Sequence, residues 1–527
     1  MAQIVIADVD VYDPGIGAAR TLHFATQSYT TGPTDTPDNT PANTFYEGRI
    51  QQPANISRTC FSDAKTTGRT QIGYGDMVLV NNDGALDGLL AYSFAGRAIT
   101  IKLGVVAPNS NRAPTWVTVI KGTMEQAELS WQKVTIRVRD RQQDVAKPLQ
   151  QVRYAGSNTL LGGVLNGLEG VANDLKGKPK PQVFGRVFNV PPPQVNTDRR
   201  IYQVHAGSAL SALLAAYDRG APLTVGAVYT SQTDMEANAP TAGQYRVWND
   251  ASAGCFVRLG SAPTGTVTVD AVQGAAVANR TVGQLYSQIL QAAGISSSDI
   301  NSADITALDA TAPYEVGVYA PYDHDVTALE LLDTLCASVG AWYGCDASGA
   351  FRIGQIAVPR GAAVGTITAT DILKIERVSS RDPGVGIPAW KMKIGYQRIY
   401  SVQNDLTAAV TDARKAYLAE EYRRVESSDA SVKTANLTSP ELEFLTVLTS
   451  ASDAAAEADR RLAIYKVRRD MYQLTIRVDA ALAAALDIGK VVSLQINRFG
   501  MGAGKNLLII GIRTNMRGYQ FDLTLWG

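Results

Sequence analysis

Histidine, cysteine and net charge are what this chain has least of. Among 527 residues there are three His and four Cys, and 49 basic side chains are matched by 49 acidic ones. Balanced charge removes any bulk electrostatic reason to bind nucleic acid or a membrane surface, and leaves local basic patches as the remaining route. Cys60, Cys255, Cys336 and Cys345 are scattered, and none forms the CxxC pair of a zinc or iron–sulfur site. Packed free thiols, made in a reducing cytoplasm, are expected instead. His23, His205 and His324 lie far apart in unrelated settings, and GxSxG and HExxH motifs are absent. Long apolar runs are missing too: ALSALLAAY from Ala209 falls far short of the roughly 20 residues that span a bilayer. The opening MAQIVIADVDVYD alternates apolar and acidic residues where a secretory signal needs a basic flank and a continuous apolar core, so a protein made without an export signal and soluble is expected.

Three local patterns invite a chemical reading. RFGMGAGKN, from Arg498 to Asn506, looks like a phosphate-cradling loop. The GxxxxGK[ST] pattern needs a glycine five residues before Gly504, where Phe499 stands, and a hydroxyl after Lys505, where Asn506 stands. The loop should also open a helix, yet NLLIIGIRTN follows it. It therefore reads as a hairpin connection. Asp323-His324-Asp325 invites a metal or acid–base role, but it precedes a predicted helix, where Asp325 is placed to cap free backbone N–H groups. Glu420 and Glu421 sit side by side in LAEEYRRV; on a helix they point about 100° apart and cannot jointly flank one scissile bond. No catalytic, cofactor-binding or metal-ligating residue is assigned, and the chain is not read as an enzyme.

What the chain has is strand periodicity at both ends. Val5, Ala7, Val9 and Val11 alternate with Ile4, Ile6, Asp8 and Asp10; Ile99, Ile101 and Leu103 alternate with Thr100 and Lys102. Val134, Ile136 and Val138 face away from Lys133, Thr135, Arg137 and Arg139. Period-two patterning of this kind gives half-buried strands of an antiparallel sheet or barrel. At the other end Val492, Leu494 and Ile496, then Leu508, Ile510 and Ile512, then Phe521, Leu523 and Leu525 after a turn at Asn515–Gly518 predict a three-stranded meander. TTGPTDTPDNTPAN, Thr30 to Asn43, is too rich in Pro, Thr, Asp and Asn to pack and predicts an exposed loop.

Between the ends the texture changes. LLGGVLNGLEGVANDLKG and the proline-rich KPKPQVFGRVFNVPPPQV predict a connector on a fixed path. TVGQLYSQILQAAG from Thr281 and DVTALELLDTLCASVGAWYG from Asp325 have helical spacing, with Leu329, Leu332, Cys336 and Val339 as one stripe of the second. AWKMKIGYQ predicts a strand and SDAAAEADRRLAIYKVRRD a helix. Its cluster Arg460, Arg461, Lys466, Arg468 and Arg469 is interleaved with Glu457, Asp459 and Asp470, which predicts a solvated or subunit-facing surface in preference to a nucleic-acid site. The expected architecture is mainly β with α+β insertions and several domains. They are an N-terminal β-barrel over residues 1–150, a Gly/Pro-rich connector over 151–206, a small β-rich inserted module over 207–280, an α+β domain over 281–375, and a C-terminal β-barrel with a helical segment over 376–527.

Five stretches, taken in order, resemble the baseplate hub (tail-tip) proteins of long-tailed bacteriophages, especially those with non-contractile tails. They are DGALDGLLAYSFAGRAITIKLG, GKPKPQVFGRVFNVPPPQV followed by YQVHAG, GCFVRLGSAPTGTVTVDAVQG, SVGAWYGCDASGAFRIGQI and the terminal FDLTLWG. The resemblance implies antiparallel β-barrels related to tail-tube proteins and a homotrimer around the axial channel. It also implies a place in the virion at the distal tip of the tail, after synthesis in the host bacterial cytoplasm. Its implied partners are a distal tail protein ring, the tape-measure protein, central tail fibre or tip proteins, viral DNA in transit, and the host envelope. The implied function is to close the tail channel, adapt six-fold to three-fold symmetry and open for genome passage. Two other classes stay open: a tail-associated cell-wall hydrolase hidden in the middle of the chain, and a carbohydrate-binding receptor protein suggested by the Tyr and Trp content.

Overall fold

The computed structural model describes residues 2–35, 40–62, 65–71, 73–106, 116–378, 385–515 and 518–527. Its N-terminal part is a twisted sheet built from β1 (Ala2–Asp13), β2 (Ala18–Ala25), β3 (Phe45–Gly48), β4 (Ile50–Gln52), β5 (Tyr74–Val80), β6 (Ala98–Val106), β7 (Trp116–Met124) and β8 (Lys133–Asp140). The spatial order is β3-β2-β1-β6-β7-β8-β5-β4. Arg49 alone separates β3 from β4, so one bent segment pairs with β2 at one edge, in parallel, and with β5 at the other, antiparallel. That segment closes the sheet into a barrel and removes its free edges. Val5, Ala7, Val9, Val11, Ile99, Ile101, Val134, Ile136 and Val138 fill the interior, as their spacing predicts. The opposite face of β1 differs from the expectation of a half-buried strand. Ile4 and Ile6 are also buried, under Tyr29, Tyr46 and Trp116. The Thr30–Asn43 segment is not a wholly exposed loop, because Thr31 and Thr40 are buried and Thr31 N–H donates to the Thr44 carbonyl; its residues 36–39 lie outside the described residues.

The C-terminal sheet uses β9 (Thr366–Thr368), β10 (Ile372–Val378), β11 (Met471–Arg477), β12 (Val491–Gln495), β13 (Lys505–Asn515) and β14 (Gln520–Trp526) in the order β9-β12-β13-β14-β11-β10. Here too a bent segment reaches both edges: β9 pairs with β12 in parallel and β10 pairs with β11 antiparallel. The meander of β12, β13 and β14 matches its prediction, with Phe521, Leu523 and Leu525 at most 2% exposed. The turn joining β13 to β14 contains residues outside those described.

The two barrels share one topology. Following the chain, the bent segment, then β5, β6, β7 and β8, corresponds to the bent segment, then β11, β12, β13 and β14. Around the ring the order is also the same: bent segment, β5, β8, β7, β6 in one, and bent segment, β11, β14, β13, β12 in the other. A short helix falls at the matching place in each, Asp87–Ala91 before β6 and Ala480–Ala485 before β12. The N-terminal barrel adds a hairpin, β1–β2, between β6 and the bent segment, and two two-residue strands, Tyr29–Thr30 paired with β3 and Glu128–Leu129 paired with β8.

The middle of the chain holds two further layers. The stretch read as a connector contributes Gln182–Val190, a strand flanked on both sides in a five-stranded sheet. Its prolines lie before and after the strand, at Pro179, Pro181 and Pro191–Pro193, so none removes a ladder hydrogen bond from inside it. A second five-stranded sheet, with Ile201–Ala206, Gln244–Asp250 and Gly254–Leu259, packs on the first through Val187, Val204, Val257 and Val269. Helices Val282–Ala292, Ser302–Thr311 and Ala328–Ala337 follow, and their apolar faces join a continuous core that reaches both barrels. A small sheet, Lys391–Tyr396 with Arg423–Ser428 and Glu441–Leu445, and the helix Ala451–Tyr465 are inserted between β10 and β11. Among the described residues no helix is long and apolar enough to cross a membrane.

Candidate functional site

The residues that invited chemistry are dispersed. His324 Nδ1 lies 2.8 Å from Asp323 Oδ1, both largely exposed, while Asp325 pairs with Arg153 at 2.7 Å. The expected cap is therefore corrected. The following helix starts two residues later, where Thr327 Oγ1 accepts from Glu330 N–H and Glu330 returns to the Thr327 N–H. Its buried face is Ala328, Leu331, Leu332, Leu335 and Cys336, with Leu329 turned to the margin. Glu420 and Glu421 are not on a helix, since Asp412–Ala419 ends just before them; they pair with Arg424 and Arg398. The Arg498–Asn506 loop joins β12 to β13 as a hairpin connection, pinned by the buried Met501 and by Gly504 N–H donating to its carbonyl. Lys505 Nζ donates to the Gly527 carbonyl at 3.0 Å. All four cysteines are free and buried. Desolvation pushes their thiols up, that of Cys255 to about 12. Among the described residues no group of three or more His, Cys, Asp or Glu side chains is placed to hold a metal.

His23 does join a cluster, at the place where the first barrel closes. Asp8 on β1 accepts from Tyr46 on β3 at 2.6 Å, lies 2.9 Å from His23 on β2, and pairs with Lys102 on β6 at 3.1 Å. Burial pushes the Asp8 carboxyl up, and these three partners outweigh it and hold it below the usual range. One carboxylate thus ties four neighbouring strands across the closure. Its only trace in the sequence is faint: Asp8 and Lys102 each fall within a run of β-formers.

The barrels meet along a second set of side chains. The strand Ser57–Thr59, from the first barrel's β4–β5 connection, pairs antiparallel with Gly511–Arg513 of β13. Arg58, buried, reaches Asp487 at 2.8 Å and the Cys345 carbonyl at 3.3 Å. In return, the helix Ala480–Ala485 of the second barrel packs on β6 and β7 of the first. This is a head-to-tail contact, made by different surfaces of two units with the same topology, and units joined in this way can continue around a ring.

The Arg-rich helix corrects another expectation. Glu457 and Arg461 are buried instead of solvated, and the guanidiniums of Arg460 and Arg461 both bond Glu457. They also reach the carbonyls of Ala337, Val339 and Ile356. These two arginines are committed to the interior, leaving Arg468 as an exposed member of the cluster and Lys466 paired with Asp429.

No known family model matches the sequence, and no curated protein matches it. Among solved structures, the chain is similar to the 43 kDa tail protein of prophage MuSo2 from Shewanella oneidensis, with 11% identity, 99% of this chain and 98% of that one covered, and a TM-score of 0.38. It is similar to a chain in the virion of a native gene transfer agent particle, with 14% identity, 67% and 85% covered, and a TM-score of 0.41. A third is the prophage tail protein gp18 from Listeria monocytogenes, with 8% identity, 100% and 94% covered, and a TM-score of 0.38.

Proposed function

We propose that this chain is a structural protein of a phage tail baseplate, the hub at the distal end, acting as a trimer. The observation that carries the reading is the shared topology of the two barrels. A chain with two equivalent walls in head-to-tail contact presents six walls when three copies close a ring, which matches a six-fold tail on one face. The non-equivalent middle modules keep three-fold symmetry for a central fibre on the other. Side chains that join the walls are packed and paired, so assembly draws its energy from buried interfaces. In this role the hub seats the tape-measure protein, meets the distal tail ring, and lets DNA pass when the host envelope is engaged. A reconstruction of the intact tail tip without imposed symmetry tests the proposal. Three copies around the axis, with two barrels each in one six-walled ring, support it; six copies in one equivalent ring, or a position on the capsid or side fibres, defeats it.

A further inference from the structure

One short helix of the barrel topology stands in two different settings. In the second barrel, the helix Ala480–Ala485 packs on β6 and β7 of the first barrel, and its Leu482 is half-buried. In the first barrel, the matching helix Asp87–Ala91 turns Leu89 inward and leaves Leu90 75% exposed. Beside a neighbouring barrel the helix is covered; where the chain supplies no neighbour it is open.

Leu90 is not alone there. β1, β5 and β7 run one way and β2, β6 and β8 the other, so the β1–β2 turn, the β5–β6 helix and the β7–β8 connection gather at one end of the first barrel. The end of β1 and its turn carry Tyr12 and Ile16, 37% and 64% exposed, and the β7–β8 connection carries Trp131, 92% exposed. Hydrogen bonds tie the three loops together. Tyr12 and Ser93 exchange backbone bonds, and Gln126 donates to the Tyr92 carbonyl and accepts from the Phe94 N–H. Asn81 donates its N–H to the Gln132 carbonyl, and its side chain holds Leu86 and Asp87. Large apolar side chains gathered on one surface mark a contact site, and Trp and Tyr are frequent anchors of one. Asp13, next to Tyr12, pairs with Arg20, and Asp83, before the helix, pairs with Arg49, so charges beside the patch are matched.

The seam inside the chain points to what covers the patch. Its head-to-tail contact leaves one counterpart of each kind unused: the helix end of the first barrel, and the β12–β13 face of the second, which corresponds to the β6–β7 face. That face presents Val491, Ser493 and Gln495 outward. One part of the seam is not repeated. β6 already pairs with β7 from Trp116 to Thr123, on the side corresponding to the one that Ser57–Thr59 joins on β13. The remaining contact rests on side chains, and two such faces at opposite ends of one unit are joined by a second copy.

We propose that Tyr12, Ile16, Leu90 and Trp131 dock on the β12–β13 face of another copy of this chain. The proposal rests on the ring reading above and names the surfaces that close the ring. The test uses the full chain. Benzoylphenylalanine in place of Leu90 is irradiated in a mixture of isotope-labelled and unlabelled chains, and the cross-linked peptides are mapped by mass spectrometry. Analytical ultracentrifugation follows self-association of Leu90→Lys, Trp131→Ser and a control, Leu161→Ser, 70% exposed on the Ser157–Leu161 strand of the middle module. All three replace exposed side chains and should melt as the parent does. Expected are cross-links between labelled and unlabelled chains that land within Val491–Asn515, and self-association weakened about tenfold or more by each rim variant but not by the control. A chain that stays monomeric, association indifferent to both rim variants, or cross-links joining the first barrels of two copies would each overturn the inference. A trimer whose copies meet through another face overturns it and leaves the ring reading standing; the expected contact in an assembly of other than three copies does the reverse.

Discussion

Glu457 and Arg461 meet inside the protein, Oε1 to Nε at 2.6 Å, on a helix whose sequence suggests a solvated face. Burial pushes the Glu457 carboxyl up, and the adjacent Arg461 and Arg460 outweigh it and hold it below the usual range. The three charges staple the inserted helix Ala451–Tyr465 to the carbonyl end of helix Ala328–Ala337 through the Ala337 and Val339 carbonyls. Buried pairs of this kind contribute little against an apolar replacement and cost much when one member is lost.

Glu457→Gln should therefore destabilise the protein by about 3–5 kcal/mol, because two guanidiniums lose the anion that balances them. Urea unfolding of the full chain measures it. A change under about 1 kcal/mol would mean that the network is not what fastens the helix.

The middle module should be sensitive to mild acid through His205. Its Nδ1 accepts from the Val183 N–H at 2.9 Å and its Nε2 lies 2.9 Å from the Ser208 hydroxyl, so the neutral tautomer fits and the protonated ring would set a donor against a donor. Burial lowers its pKa to about 4 from an unfolded value near 6.5. The unfolded state then binds the proton first, and stability is lost as pH falls from about 6.5 to about 4. The full loss is about 3 kcal/mol. The protection factor of the Val183 amide, its exchange rate taken relative to the intrinsic rate at each pH, should fall between pH 7 and pH 4.5. An unchanged protection factor for Val183 would contradict the assignment.

Deleting the chain from Gln520 onward removes β14, which lies between β11 and β13, and so opens the second barrel. Phe521, Leu523, Leu525 and Trp526 are all at most 2% exposed, and each large side chain is worth roughly 1.5–3 kcal/mol of burial. The truncated chain should lose the C-terminal domain to limited proteolysis. If it remained resistant, the barrel would not depend on its closing strands.

Lys505→Ala should leave nucleotide binding where it starts, at zero, since the loop before it is a hairpin connection. Stability should fall by about 1 kcal/mol or less, for the loss of one partly exposed hydrogen bond to the Gly527 carbonyl. Saturable ATP binding by the parent chain that disappears in the variant would sink the hairpin reading.

Alternation alone makes the barrel strands legible in the sequence. β8 and the β12–β13–β14 meander fall where Val134, Ile136, Val138 and Phe521, Leu523, Leu525 place them. Closure is not legible, because it depends on short bent segments, Phe45–Gln52 and Thr366–Val378, whose pairing partners are remote in sequence. Proline misleads at Gln182–Val190: its effect is local to the residue that lacks the N–H, and the nine residues between the prolines are free to pair. Charge misleads at Glu457 and Arg461, since a run of acids and bases reads the same whether it faces water or pairs inward.

The seam between the barrels gives the sharpest remaining test. Arg58 and Asp487 have side chains 8% and 15% exposed and lie 2.8 Å apart, one from each barrel unit. Removing either alone leaves the other without its ion partner, whereas removing both leaves the buried Asp140, whose charge Arg58 also offsets, as the neighbouring carboxylate. Arg58→Met and Asp487→Leu should each cost about 3–5 kcal/mol, and the double variant less than the sum by about 1–3 kcal/mol. Because Arg58 also reaches the Cys345 carbonyl, its replacement should loosen the middle module as well, seen as faster alkylation of the buried Cys345 thiol. Additive costs in the double variant would show that the two groups do not act on each other, and that the barrels are joined by the Ser57–Thr59 strand and the Ala480–Ala485 helix without help from this pair.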